Sequence, residues 1–261
     1  MADVNALYMR VCEMNIAGRL LTAPPMTLEF EYEFSTAGFA SIKARIMNPA
    51  SATVSAAKKG ATCTISAGYA GDYGSVFTGV VDKSEYAPGK DSTLTLTLKD
   101  DSERYAISVL NFSIKGPVKA SQIIKELLNK VGITSAKIEL GEDVNYERGF
   151  SCPGWTLRDA LSQIAKDTKS QLFFRNGQCC LLAATKGVST AWELSNSTGL
   201  LSATQTGSGY KIKTLFLYRL GAGSLVVLKR KDSSVTLRVS KGKHTFSPKG
   251  TTETEFEAVR I

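Results

Sequence analysis

Through the first hundred residues, short stretches of alternating apolar and polar residues follow one another at close spacing. In residues 27–34, Leu28, Phe30, Tyr32 and Phe34 fall on one side and Glu29, Glu31 and Glu33 on the other, as in a strand with one buried face. The three glutamates read as a solvated face, because same-side neighbours along a strand lie too far apart to share a small cation unaided. Residues 79–81 and 93–98 extend the β reading, and residues 68–74, rich in glycine and tyrosine, read as a loop between strands.

Near residue 116 the period changes from two to about 3.6. Pro117 suits the first helical position, Val118, Ile123, Ile124, Leu127, Leu128 and Val131 form one stripe, and Gly132 supplies a stop, which predicts a helix over residues 117–131. Thr156 followed by Asp159 marks the start of a second helix that ends near Thr168, with Leu157, Ala160, Leu161, Ile164 and Ala165 on its apolar side. Asn176-Gly177, flanked by Leu172-Phe173-Phe174 and Cys179-Cys180-Leu181-Leu182, predicts a hairpin with a type I′ turn. Alternation returns from about Ser195, in residues 210–218, 225–228, 235–239 and 254–259, and implies a second small barrel or sandwich. A short echo links the two β regions: Pro88 and Pro248 each precede a glycine-containing turn and an alternating strand.

The 261 residues leave room for more than one modest core. No window approaches the ~18 apolar residues of a spanning helix, and the N-terminus lacks a basic segment followed by an apolar one, so neither membrane insertion nor signal-directed secretion is expected. The net charge of +8 is uneven: residues 1–105 carry −2, residues 106–187 carry +4 and residues 188–261 carry +6. The basic groups Lys211, Lys213, Lys229, Arg230, Lys231, Arg238, Lys241 and Lys243 therefore invite an anionic partner. Against a nucleic-acid module, Lys229–Lys231 fall at an expected hairpin tip beside Asp232, and few aromatics interleave with the charges. Alternation places Lys211, Lys213 and Arg219 on one side of a strand, opposite Ile212, Phe216 and Tyr218; together with Arg238 they are the candidate partner or channel interface.

Catalytic chemistry finds no foothold. Five cysteines, an odd number and widely spaced except for the vicinal pair Cys179-Cys180, suit small buried residues in a reducing compartment, and the single histidine, His244, excludes a two-imidazole site. No nucleophile elbow or phosphate-binding loop occurs, Gly207-Ser208-Gly209 reads as a turn, and Glu142, Asp143 and Glu147 sit in a polar connecting stretch. The reading is therefore no enzyme, with no catalytic, cofactor-binding or metal residues.

Two stretches carry a resemblance. Residues 44–49 ending in Asn48-Pro49, Lys59-Gly60, Ala67-Gly68-Tyr69, the Val76-Phe77-Thr78-Gly79-Val80 strand and the 94–98 strand closed by Asp100-Asp101 resemble, in that order, the N-terminal barrel of phage contractile-tail baseplate hubs and related injection machines. Gly154-Trp155-Thr156-Leu157-Arg158-Asp159, Asn176-Gly177, Thr198-Gly199-Leu200-Leu201 and Gly221-Ala222-Gly223-Ser224 are similar to the middle and second-barrel regions of the same hubs. The resemblance implies a β-rich α+β fold in which two small tube-like β-barrels, residues 1–105 and 188–261, are bridged by a middle helix/hairpin α+β unit, residues 106–187. It implies a structural virion protein, made in the bacterial host cytoplasm, that links the tail tube protein to the central spike protein as a homotrimer. The tape measure protein is a further neighbour, and the genome passes through the channel without specific binding. The alternatives are a nucleic-acid-binding β-module, a tail-tip protein of a non-contractile phage and, last, a tail-associated cell-wall hydrolase. A chain ending at Ile261 carries the expectation that no spike or lysozyme module follows.

Overall fold

The computed structural model describes residues 9–100, 102–189, 191–230 and 233–261; Lys231 and Asp232, at the hairpin tip expected from the sequence, lie outside the described residues. The first β unit contains β1 (Arg10–Ile16), β2 (Arg19–Ala23), β3 (Leu28–Ser35), β4 (Ser41–Met47), a short helix α1 (Ser51–Ala56), β5 (Thr62–Tyr69), β6 (Asp72–Ala87) and β7 (Thr93–Asp100). The middle part holds α2 (Ser102–Ala106), β8 (Val109–Ile114), β9 (Val118–Lys119), α3 (Ala120–Val131), β10 (Ala136–Glu139), β11 (Asn145–Tyr146), β12 (Phe150–Thr156), α4 (Leu157–Asp167), β13 (Ser170–Arg175) and β14 (Gln178–Ala183). The last part adds β15 (Trp192–Leu194), β16 (Leu200–Gln205), β17 (Gly209–Leu215), β18 (Leu225–Arg230), β19 (Ser233–Phe246) and β20 (Glu253–Arg260).

The alternating strands behave as their sequence requires, with Leu28, Phe30, Tyr32 and Phe34 all buried. The two β units are not separate, however. The β3–β19 ladder, which pairs Phe34 with Gly242, Tyr32 with His244 and Phe30 with Phe246, joins them. The resulting sheet has the order β16-β17-β20-β19-β3-β4-β7-β6-β5-β1-β2, with β18 on β19 and β15 on β18. Buried residues of both units form one core, in which the Phe30 ring stacks on Phe246 at 5.4 Å and meets Phe216 edge-on at 6.0 Å. Among the described residues this order runs from β16 to β2, and the two β units expected from the sequence share one sheet.

The echo between the halves extends further than the sequence indicated. Each half has one long strand with a bulge, at Val81/Lys83 in β6 and at Val239/Lys241 in β19, followed by a hairpin into β7 or β20. On the side away from β7, β6 pairs with β5 only from Asp72 to Val80. On the side away from β20, β19 pairs with β18 as far as Arg238 and then with β3 from Lys241 onward. Residues 83–87 of β6 are thus the counterpart of the β3-bound half of β19, with no strand on that edge among the described residues. Residues 68–74 are not a loop: β5 and β6 continue to the Tyr69–Asp72 pair, leaving only Ala70 and Gly71 to turn, Gly71 at φ 91°.

A second core binds the middle part. Ile123, Ile124, Leu127 and Leu128 of α3 and Leu157, Leu161 and Ile164 of α4 pack with Leu110, Phe150 and Leu181. Helix α3 starts at Ala120, three residues later than the apolar stripe predicts, because Val118-Lys119 is extended and pairs with Asn145-Tyr146. Its end matches expectation, with Gly132 at φ 78° donating to the Asn129 and Leu128 carbonyls. Helix α4 is capped by Thr156, whose Oγ1 accepts from Asp159 N at 3.1 Å, and the Asn176-Gly177 turn has both residues at positive φ, as type I′ requires.

Candidate functional site: the charged sheet face and its open edges

The outward side of β17, β20, β19, β3 and β4 carries charges in alternating columns. Lys211 and Lys213 stand opposite Glu257 and Glu255; those glutamates stand opposite Lys241 and Lys243; Lys243 stands opposite Glu33; Glu31 and Glu29 stand opposite Lys43 and Arg45. Lys213 bridges Glu253 and Glu255 at 2.9 and 2.8 Å, Lys241 meets Glu257 at 3.1 Å, Lys243 meets Glu31 at 3.3 Å and Arg45 meets Glu29 at 3.8 Å. Six cations and six carboxylates therefore share this face, which is neutral although the chain carries +8. The hydrogen bond from Lys213 holds the Glu255 carboxyl below its ordinary range, and the two glutamates push the Lys213 ammonium up.

The expected interface residues divide. Lys211 is exposed on this face, with no ion pair among the described residues. Lys213 is there too, tied to its two glutamates. Arg219 does not share their strand: β17 stops at Leu215, after which Phe216 N donates to the Tyr69 hydroxyl and Leu217 N to Thr254 Oγ1 instead of continuing the ladder. Arg219 sits in the following turn, pairs with Asp72 at 2.9 Å and stacks over Tyr218 at 4.6 Å. Arg238 is only 4% exposed and lies over the Phe173 ring, so it belongs to the interior and not to the outward face.

Both ends of the face are edges. β16 pairs only with β17, its outer side bordering an open groove lined by Ser195–Ser197, Leu201, Lys229 and Arg230. At the other end, residues 83–87 of β6 are all exposed, Lys83 bonding Glu85 at 2.6 Å and Tyr86 presenting its ring to solvent.

The junction with the middle part was invisible to periodicity. Asp100, 2% exposed, accepts from Ser102 N at 2.9 Å, Ser102 Oγ at 2.6 Å and Gly177 N at 3.0 Å, which pins the tip of the β13–β14 hairpin to the end of β7. Arg175 donates to Ser224 Oγ at 2.9 Å and to the Arg219 carbonyl at 2.9 Å. It lies so close to Gly221 that a Cβ there would meet its guanidinium carbon at 2.8 Å. A Cβ on Gly223, at φ 74°, would collide with the Phe173 ring. The glycines of the 221–224 motif are thus explained by close approach.

Reactive groups are shut away. All five cysteines are buried and free, and burial pushes the Cys12, Cys63 and Cys180 thiols up to about 12. His244 is buried between Thr254 Oγ1 at 2.8 Å and the Leu220 carbonyl at 2.9 Å, and burial drives its pKa down to about 4. Of the loop carboxylates, Asp143 receives Ser121 N at 2.9 Å and Ser121 Oγ at 2.8 Å, capping α3 from outside the helix, while Glu142 pairs with Lys169 at 2.9 Å. Among the described residues no group of three His, Cys, Asp or Glu side chains is placed to hold a metal ion, and no helix is long and apolar enough to cross a membrane.

No protein-family model matches the chain, and no curated protein matches it in sequence. Solved structures do match. The tail protein from Neisseria meningitidis MC58 superposes with a TM-score of 0.69 at 12% identity, over 97% of this chain and 97% of that one. The 43 kDa tail protein of prophage MuSo2 from Shewanella oneidensis gives 0.66 at 12%, over 96% and 98%. An E. coli component of the type VI secretion system, described as structurally similar to the T4 bacteriophage tail proteins gp27 and gp5, gives 0.63 at 12%, over 95% and 76%. Over 95–97% of its length, the chain has the fold of these phage tail and type VI secretion proteins.

Proposed function

We propose that the chain is a structural, non-catalytic baseplate hub protein that links a tail tube to a central spike in the virion, three copies forming a ring whose channel is lined by the charged face. Its three parts are residues 1–105, 106–187 and 188–261, the middle one bracing the two tube-like halves. The observation that carries this reading is the match between the inner junction and the outer edges. Within one chain, β3 ends the first half of the face and pairs antiparallel with the second part of β19. In the same positions, β16 ends the second half and residues 83–87 of β6 offer the corresponding edge, so β16 of one copy can pair with β6 of the next as β3 pairs with β19. Six similar units from three chains then close the charged face, with the β16 edge and the edge at residues 83–87 of β6 both paired.

The neutral face suits a channel. A polyanion draws binding energy from the counterions that a net positive surface displaces, and a surface of equal and interleaved charges displaces few. DNA would pass such a lining without being held. Tail tube, spike and tape measure proteins are the partners this role requires. The test is disulfide trapping: Ser84→Cys combined in turn with Leu201→Cys, Ser202→Cys and Ala203→Cys, under oxidation at high protein concentration. At least one pair is expected to give a covalent trimer, since the native thiols are buried and silent. A concentrated chain that yields only monomers with all three pairs would refute the edge pairing.

A further inference from the structure

The groove along the outer side of β16 has a volume of about 650 Å³, and the first half of the sheet shows what the equivalent place holds. There β19 runs antiparallel along β3, and the turn beyond Phe246 is gripped from two sides. Ser247 Oγ donates to Glu29 of β3 at 2.8 Å, and Arg10 Nη1 donates to the carbonyls of Ser247 at 2.9 Å and Gly250 at 2.5 Å. Arg10 stands beside the end of β5, opposite Tyr69. The second half repeats these walls. Ser202 faces Lys213 across the β16–β17 ladder as Glu29 faces Arg45 across β3–β4. β18 flanks the first part of β19 as β5 flanks the first part of β6, and it ends on Lys229 and Arg230, which line the groove together with Ser202 and Leu201. Lys229 is held by Glu193 at 2.8 Å, whereas Arg230 is turned toward β16: its Nη2 reaches the Ala203 carbonyl at 3.4 Å and its guanidinium carbon lies 5.1 Å from the Tyr210 ring centre. Among the described residues no carboxylate lines this groove. The two turns differ accordingly. Residues 242–248, leading into the seated turn, are buried or partly buried, while residues 83–91, the bare part of β6 and the turn after it, are all exposed.

We propose that the groove is the seat of the β6–β7 turn, residues 88–91, of the next copy in the ring, with Arg230 in the place of Arg10 and Asp91 as its carboxylate partner. The inference rests on the ring reading above and adds the contact that fixes each copy against its neighbour. Residues 83–87, paired antiparallel with β16, deliver their turn to the start of that strand, which is where the groove lies. Lys90 beside Asp91 keeps the turn neutral, so the ion pair orients the turn and does not draw it in from a distance. Leu201, 52% exposed, gives the Pro88 ring an apolar floor.

The test uses the full chain at high concentration. Lys90→Cys combined with Ser197→Cys leaves Asp91 and Arg230 intact, and a short bismaleimide should join the two positions between copies and give a covalent trimer. In that background Arg230→Glu should cut the trapped trimer on the order of tenfold, and adding Asp91→Arg should restore it. If the Ser84 pairs trap a trimer and the Lys90/Ser197 pair does not, the seat is wrong and the ring stands. If neither traps one, the ring falls and the seat with it. Trapping that is indifferent to Arg230→Glu, or a loss that Asp91→Arg fails to repair, overturns the pairing of Arg230 with Asp91.

Discussion

His244 illustrates how one residue type can exclude a function in the sequence and acquire another role in the fold. Its ring is packed among Tyr32, Phe34 and Phe216, and burial lowers its pKa from 6.5 to about 4. The unfolded chain binds the proton more readily than the folded one, so the stability this neutral ring supports is complete above pH 6.5 and is lost as pH falls toward 4. Between pH 7.5 and 5.5, before carboxylates titrate, we expect urea unfolding to lose about 1 kcal/mol. His244→Gln should flatten that slope; an unfolding free energy in the native chain that is level across the interval contradicts a neutral buried ring. Asp100 makes the complementary case. Replacing it with Ala strands the Ser102 and Gly177 amides in a buried site, at an expected cost of about 2–4 kcal/mol in equilibrium unfolding. A loss within experimental error would show that the hairpin tip is held by something else.

Among the elements, the strands, helix α4 and the type I′ hairpin were legible because each is specified locally: alternation, a Thr-Asp cap, an Asn-Gly pair. The start of α3 was not legible, because what decides it lies elsewhere in the chain. Val118-Lys119 is drawn into a ladder with residues 145–146, and the first turn is capped by Asp143, over twenty residues away. Asp143→Ala should therefore cost about 1 kcal/mol, whereas Glu142→Ala, which removes only an exposed pair with Lys169, should cost little. Equal costs, read from urea midpoints, would deny the distant cap. The end of β17 was hidden for a similar reason. Alternation continues to Tyr218, but Tyr69 and Thr254 take the backbone N–H groups that the ladder would have used, which carries Arg219 away from Lys213. The inward turn of Arg238 depends on burial against the middle part, and no pattern within its own strand records that contact.

At the scale of the molecule, the basic C-terminal third looked like a binding surface because charge was summed along the chain. Folding sums it across strands. The glutamates of β3 and β20 interleave with the lysines of β17 and β19, and what reads as +6 in residues 188–261 contributes to a neutral face. Lys211 and Lys213 consequently differ. Lys211→Glu sets a carboxylate opposite Glu257 and should lower the thermal midpoint of the isolated chain slightly, while Lys213→Glu breaks two ion pairs and places a third carboxylate beside Glu253 and Glu255 and should lower it more; identical midpoints would contradict the ion-pair geometry. Neither the native chain nor Lys211→Glu should retard duplex DNA at about 0.15 M salt, and a salt-dependent shift by the native chain would revive the nucleic-acid reading.

The same summing across strands underlies the proposed ring, since the edge left bare on β6 is the one that β19 fills with β3. Electron cryomicroscopy of the assembled tail end tests this most directly. The account predicts three copies around the axis, β16 of each hydrogen-bonded to residues 83–87 of the next, with Lys211 and Glu257 facing the channel. Six copies in the ring, a position away from the tail axis, or a ring in which β16 and β6 stay unpaired would contradict it.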